Sequence, residues 1–174
     1  LFDLRKSSIV EGGNYHKLKD LFSFPIKIAE LSYPKQLQIN KNQNFKESIF
    51  DQIDREDLLI CTPYESFDPI LRFFNEAAID PTVDEIYTTL YRIAGDSHIA
   101  QALATAAKNG KKVNVFVELK ARFDEANNIH WARLMKEQGV KIIYSIPNLK
   151  VHAKIALIRR LDGRESALFG TGNL

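Results

Sequence analysis

The chain has 174 residues, 45% hydrophobic and 26% charged, with 24 basic and 22 acidic side chains that leave a formal charge of +2 at pH 7. That is the composition of an ordinary folded domain, and so small a net charge excludes a partner selected by a strong overall field. No apolar run approaches the roughly 20 residues that cross a bilayer, and the opening Leu1-Phe2-Asp3-Leu4-Arg5-Lys6 lacks the basic, apolar, then small layout of a secretory leader.

Cys61 is the single cysteine, so it has no internal disulfide partner, which fits a reducing compartment such as the cytoplasm. The start without Met, and the stop at Gly170-Thr171-Gly172-Asn173-Leu174 directly after an apolar run, read as a piece of something longer.

Residues 1 to 40 are broken by Gly12-Gly13-Asn14, Pro25 and Pro34, with weak periodicity, and read as the end of a preceding domain plus a linker. From residue 41 onward one domain is expected. Phe45, Ile49 and Ile53 suggest a short helix, and Asp57 to Cys61 reads as a buried strand stopped by Thr62-Pro63. Ile70, Leu71, Phe73, Phe74, Ala77 and Ala78 recur at helical spacing and predict a helix that ends near Asp80-Pro81. Glu85 to Tyr91 predicts a strand rich in Ile, Tyr and Thr. Ile99, Ala102, Leu103, Ala106 and Ala107 make the next helix face, stopped by Asn109-Gly110. Val113 to Leu119 is a strand, Asn127 to Gln138 a helix closed by Gly139, and Val140 to Ile146 a further strand. Two last strands, Ala153 to Arg159 and Ser166 to Phe169, have no helix between them and are joined by the turn signal Asp162-Gly163. The alternation predicts an α/β fold whose sheet is parallel first and antiparallel at the end.

Open α/β sheets bind ligands beyond the C-terminal ends of their parallel strands. Arg92 and Arg122 follow two of those strands, while His152 and Lys154 open a strand that returns to the same edge. The hairpin then delivers Gly170, Thr171, Gly172 and Asn173 there, and Tyr64 is a further candidate. The set suits phosphate. Two guanidinium forks match phosphate oxygens, Lys154 adds a compact cation two residues from His152, and glycine lets backbone N–H groups approach an anion. An imidazole largely neutral at pH 7 can act as nucleophile without a dedicated base.

Other readings weigh against single residues. His16, His98 and His130 have no cluster around them and read as structural or surface groups, and Trp131 as core. Arg92 and Arg122 could equally be strand-end ion pairs with Asp96, Asp124 or Glu125. Asn109-Gly110-Lys111-Lys112 lacks the frame of a phosphate loop and reads as a helix-to-strand turn.

The H-x-K of His152 and Lys154, followed by Gly170-Thr171-Gly172-Asn173, resembles one half-site of the phospholipase D superfamily. Arg159 stands where that motif has its acidic residue, which counts against simple phosphodiester hydrolysis. Thr62-Pro63-Tyr64-Glu65-Ser66-Phe67, Thr89-Leu90-Tyr91-Arg92, Val117 to Glu125 (VELKARFDE), Leu149 to Lys154 (LKVHAK) and the GTGN run resemble the long, phospholipase-D-like type of polyphosphate kinase, with a match from about Tyr15 to the end. The resemblance implies that residues 1–40 close a head domain. It implies that 41–174 form most of a first phospholipase-D-like catalytic domain, a mixed sheet flanked by helices. It also implies reversible transfer of the γ-phosphate of ATP to inorganic polyphosphate through a phosphohistidine at His152. Lys154 would assist, and Arg92, Arg122, Thr171, Gly172 and Asn173 would bind phosphate.

In such proteins the two arginines line a phosphate and magnesium site. Arginine is a poor ligand for a hard cation, so these would hold the phosphates that hold Mg²⁺. The expected partners are ATP or ADP, polyphosphate, the remaining domains of the same chain and, at full length, further copies of it, but not nucleic acid. A cytoplasmic location follows, with peripheral attachment to the inner membrane for some members. The alternatives are a phospholipase-D-like phosphodiesterase or transferase and, for this piece alone, a non-catalytic polyanion-binding domain.

Overall fold

The structure, a computed structural model, describes residues 12, 17–23, 28, 30, 33–34, 36–39, 46–119, 121, 124–146 and 149–174. The chain divides into two compact units, Leu1–Gln36 and Leu37–Leu174. The described part of the first contains a 3-10 helix at Leu18–Ser23. Phe45, His16 and Arg122 lie outside the described residues.

The second unit runs α1 (Ile49–Ile53), α2 (Asp68–Ile79), β1 (Val83–Leu90), α3 (His98–Lys108), β2 (Lys112–Val117), α4 (Glu125–Glu137), β3 (Lys141–Tyr144), β4 (Lys154–Arg160) and β5 (Glu165–Gly170). Local chemistry sets the bounds. Ser48 and Ser97 cap α1 and α3 by accepting from the Phe50 and Ala100 amides. Pro69 fits the first turn of α2, where its missing N–H costs nothing. Gly110 and Gly139 take positive φ of 85° and 94° just past α3 and α4, and Gly163 does so in the hairpin turn.

The sheet order is β3-β2-β1-β4-β5, with β1, β2 and β3 parallel and β4 and β5 antiparallel to their neighbours. The mixed sheet matches the expectation, but the expected strand at Asp57–Cys61 does not form. Leu59 there is 85% exposed, and only Leu58 packs against the core. An apolar run becomes a strand only where an edge offers its ladder, and Asp57–Cys61 has no such ladder among the described residues.

Inward side chains of β1, β2 and β4, among them Ile86, Leu90, Val115, Val117, Ala156 and Ile158, meet Phe73, Phe74, Leu103 and Met135 of the helices. The helices form one layer over that face. On the other face no described helix packs, and Tyr87, Phe116, Ile143, Ile155, Leu157 and Phe169 line a shallow concavity of about 480 Å³.

Candidate active site

The C-terminal ends of β1, β2 and β3, the start of β4 and the end of β5 lie at one edge of the sheet, as the mixed topology requires. The β1–β4 ladder ends at the Thr88–Ala156 pair, just short of that edge. Beyond it, threonine hydroxyls replace the ladder. Thr89 Oγ1 donates to the Ala153 carbonyl at 2.6 Å and accepts from the Ile155 amide at 3.2 Å, and Thr88 Oγ1 donates to the Ile155 carbonyl at 3.0 Å.

Tyr91 is the hub of the described cluster. The His152 ring meets it edge-on at 5.1 Å between centroids, Lys154 Nζ lies 5.0 Å from its ring centre, and the Arg92 guanidinium 5.8 Å. His152 is exposed and sits just ahead of β4. Lys154 is only 5% exposed, with its ammonium donating to the His152 carbonyl at 2.7 Å. It therefore braces the histidine's main chain. Arg92 pairs with Asp124 at 3.2 Å, one of the acidic partners expected for it, with 46% of its side chain still exposed.

Opposite Lys154 in the ladder stands Gly170, and Thr171, Gly172 and Asn173 follow it, exposed at the same edge. A Cβ at Gly170 would lie 3.7 Å from the Gly172 carbonyl, and one at Gly172 would meet nothing within 4 Å, so the protein's own packing demands glycine at neither place. Arg122 follows β2 but lies outside the described residues. Tyr64 is exposed, and among the described residues no hydrogen bond, ion pair or ring contact joins its side chain to His152, Arg92 or Lys154. His98 and His130 are exposed on α3 and α4.

Four residues matter that pattern alone did not assign to the site: Tyr91, Glu118, Asn128 and Trp131, the last read only as core. Asn128 is fully buried. Its amide donates to the Tyr91 and Glu118 carbonyls, each at 2.8 Å, and accepts from the Ile93 amide at 3.0 Å. Trp131 is indeed nearly buried, but its indole N–H also donates to the Ala94 carbonyl at 2.9 Å, and Asn127 donates to the Ile93 carbonyl. One face of α4 thus fastens the loop that carries Arg92. The Glu118 carboxylate, 1% exposed, accepts from the Val151 amide at 3.0 Å and the Ser145 hydroxyl at 3.1 Å. The sequence signal was a charge closing the apolar run Val113 to Val117.

Arg159, in the place of the motif's acid, lies at the end of β4 remote from His152 and pairs with Glu85 at 2.9 Å and Glu165 at 2.8 Å. No group of three His, Cys, Asp or Glu side chains arranged to hold a metal occurs among the described residues. No described helix is long and apolar enough to cross a membrane.

Residues 48–174 match the family model for polyphosphate kinase C-terminal domain 1. The polyphosphate kinases of Salmonella typhimurium and Escherichia coli K12 are each 42% identical over 176 residues, covering 97% of this chain and 26% of theirs. That of Campylobacter jejuni subsp. doylei is 42% identical over 189 residues, covering 95% of this chain and 27% of its own. The crystal structure of polyphosphate kinase from Porphyromonas gingivalis superposes with a TM-score of 0.73 at 45% identity, over 94% of this chain and 28% of that one. The chain spans about a quarter of the length of these relatives, and it belongs to the polyphosphate kinase family.

Proposed function

We propose that the full-length chain transfers the γ-phosphoryl group of ATP reversibly to inorganic polyphosphate, with His152 as the group that carries it. A ring nitrogen of His152 attacks the γ-phosphorus, the bond to the ADP oxygen breaks, and ADP leaves. A terminal oxygen of polyphosphate then attacks the phosphohistidine, the P–N bond breaks, and the chain is one phosphate longer. Run backward, the same steps make ATP.

The observation that carries this reading is the exposed His152 ring held against Tyr91 in one cluster with Arg92 and Lys154. Positioning and charge neutralisation do most of the work in phosphoryl transfer. Arg92, with Arg122 as its expected counterpart, would grip non-bridging oxygens. Lys154 would hold the His152 main chain and add positive charge. Thr171, Gly172 and Asn173 would turn hydroxyl, amide and backbone N–H groups toward phosphate. The groups that would meet phosphate, the Arg92 guanidinium, the Lys154 ammonium and the hydroxyl, amide and backbone N–H donors of Thr171, Gly172 and Asn173, are a donor set for phosphate and not for a hard cation, so Mg²⁺ would be held on the phosphates. Its contribution when bound is to neutralise phosphate charge.

Residues 1–40 we read as the end of the preceding head domain, and the site as completed by other parts of a cytoplasmic, homo-oligomeric chain. The isolated segment would bind polyanions without turnover. The test is ATP-dependent polyphosphate synthesis by the full-length chain. His152→Ala should abolish it, and substantial synthesis by that variant would contradict the proposal.

A further inference from the structure

We propose that Glu118 is a positioning residue for His152, and that with Asn128 it locks the histidine in register with the loop of Arg92. This rests on the reading of His152 as nucleophile.

Glu118 directly follows β2, whose Val115 and Val117 are fully buried, and is itself 1% exposed. Burying a carboxylate is costly unless it is hydrogen-bonded, and an apolar side chain of that size would close the strand at less cost. What the carboxylate does here is local and specific. Among their contacts, its two oxygens take the Ser145 hydroxyl, directly after β3, and the Val151 amide, three residues ahead of β4. His152 is the next residue.

The backbone of Glu118 is held just as firmly. Its amide donates to the Leu90 carbonyl at 3.0 Å, and its carbonyl accepts from Asn128 at 2.8 Å. Asn128 in turn holds the Tyr91 carbonyl and the Ile93 amide on either side of Arg92. Two buried side chains therefore tie three strand ends together, from the phosphate-gripping loop to the nucleophile. Attack on phosphorus tolerates little misplacement, so loosening this tie should slow the chemical step more than substrate binding.

Glu118→Gln, Glu118→Met and Ser145→Ala in the full-length chain test it, read as the single-turnover rate of labelling from γ-labelled MgATP and the KM for ATP. Gln can turn its carbonyl to Val151 and its amide to Ser145, so it should stay within about fivefold of wild type. Met keeps the volume without the hydrogen bonds and should label about 10²-fold more slowly, with KM moved less than about threefold. Ser145→Ala removes one anchor and leaves the carboxylate on Val151, so it covers the case in which the Met variant does not fold. It should label about tenfold more slowly. A wild-type rate in Glu118→Met or in folded Ser145→Ala overturns the proposal. So does a Gln variant as slow as Met, because charge and not positioning would then be at work. Wild-type protein that takes no label overturns instead the reading of His152 on which this rests.

Discussion

Arg92 and Asp124 form an ion pair that is more than a third exposed on both sides. Such a pair contributes at most about 1 kcal/mol to stability, so an arriving phosphate can replace the aspartate at small cost. Removing the guanidinium should therefore be felt in catalysis and hardly at all in stability. Arg92→Ala is expected to lower the rate of ATP-dependent synthesis by about 10²–10³, with the melting temperature nearly unchanged. Arg92→Lys should recover only part of that, because an ammonium cannot present the planar fork. An Arg92→Ala enzyme at wild-type rate would remove Arg92 from the site. Lys154 teaches a different lesson at this scale. Its place two residues from His152 was legible, but its ammonium turns back to the His152 carbonyl and the Tyr91 ring. Sequence gives the spacing of a charge and not the direction in which it points.

Among the elements, α1 is joined to the β4–β5 hairpin by charge. Arg160, 4% exposed, grips Asp54 with both terminal nitrogens, and Arg164 reaches the same carboxylate. The hydrogen bond from Arg160 is the main reason that Asp54 has a pKa below its ordinary 3.8, opposed by partial burial. Asp54→Ala would leave a buried guanidinium with the Ser166 hydroxyl but no carboxylate and should cost about 3 kcal/mol. The loss should appear at neutral pH as faster amide exchange in β4 and β5. The sign of the pH effect follows from a carboxyl depressed in the folded state. Its stabilisation is complete above the ordinary carboxyl range and disappears as pH falls below about 3.8 through the folded value. In Asp54→Asn that part of the acid sensitivity should be missing, and an unchanged acid profile would show that the pair contributes nothing.

The elements were legible where one local rule sufficed. Periodicity located α2 and α3, Gly139 ended α4, and Asp162-Gly163 made the hairpin. Asp57–Cys61 misled because apolar character says nothing about whether a neighbouring edge is available. The ties through Asn128 and Glu118 were hidden for a related reason. They join residues distant in sequence through single hydrogen bonds, which leave no periodic trace. The convergence of Arg92, His152 and Lys154 was legible, since strand direction alone brings their positions to one edge.

At the scale of the whole sheet, helices cover one face, and no described helix covers the other. Phe169 is 79% exposed there, with Ile155 and Ile143 beside it. A contiguous apolar face of this kind marks a contact surface or an aggregation liability. The segment on its own should bind an environment-sensitive apolar dye and self-associate. Ile155→Thr with Phe169→Ser should reduce both, and an unaltered dye signal would place the sticky surface elsewhere. Because the chain spans about a quarter of the length of its relatives, turnover is expected only at full length. The segment should still bind polyphosphate through its edge cations, with an affinity that falls as salt rises.

The central claim is that His152 carries the phosphoryl group, and γ-labelled MgATP with the full-length protein tests it most directly. Wild type and His152→Ala would be quenched in alkali, digested and the labelled peptides mapped. The account predicts acid-labile, alkali-stable label on the peptide containing His152 in wild type, and none at that position in the variant. Label that persists at full yield in His152→Ala, or that maps to another residue while synthesis proceeds, would contradict it.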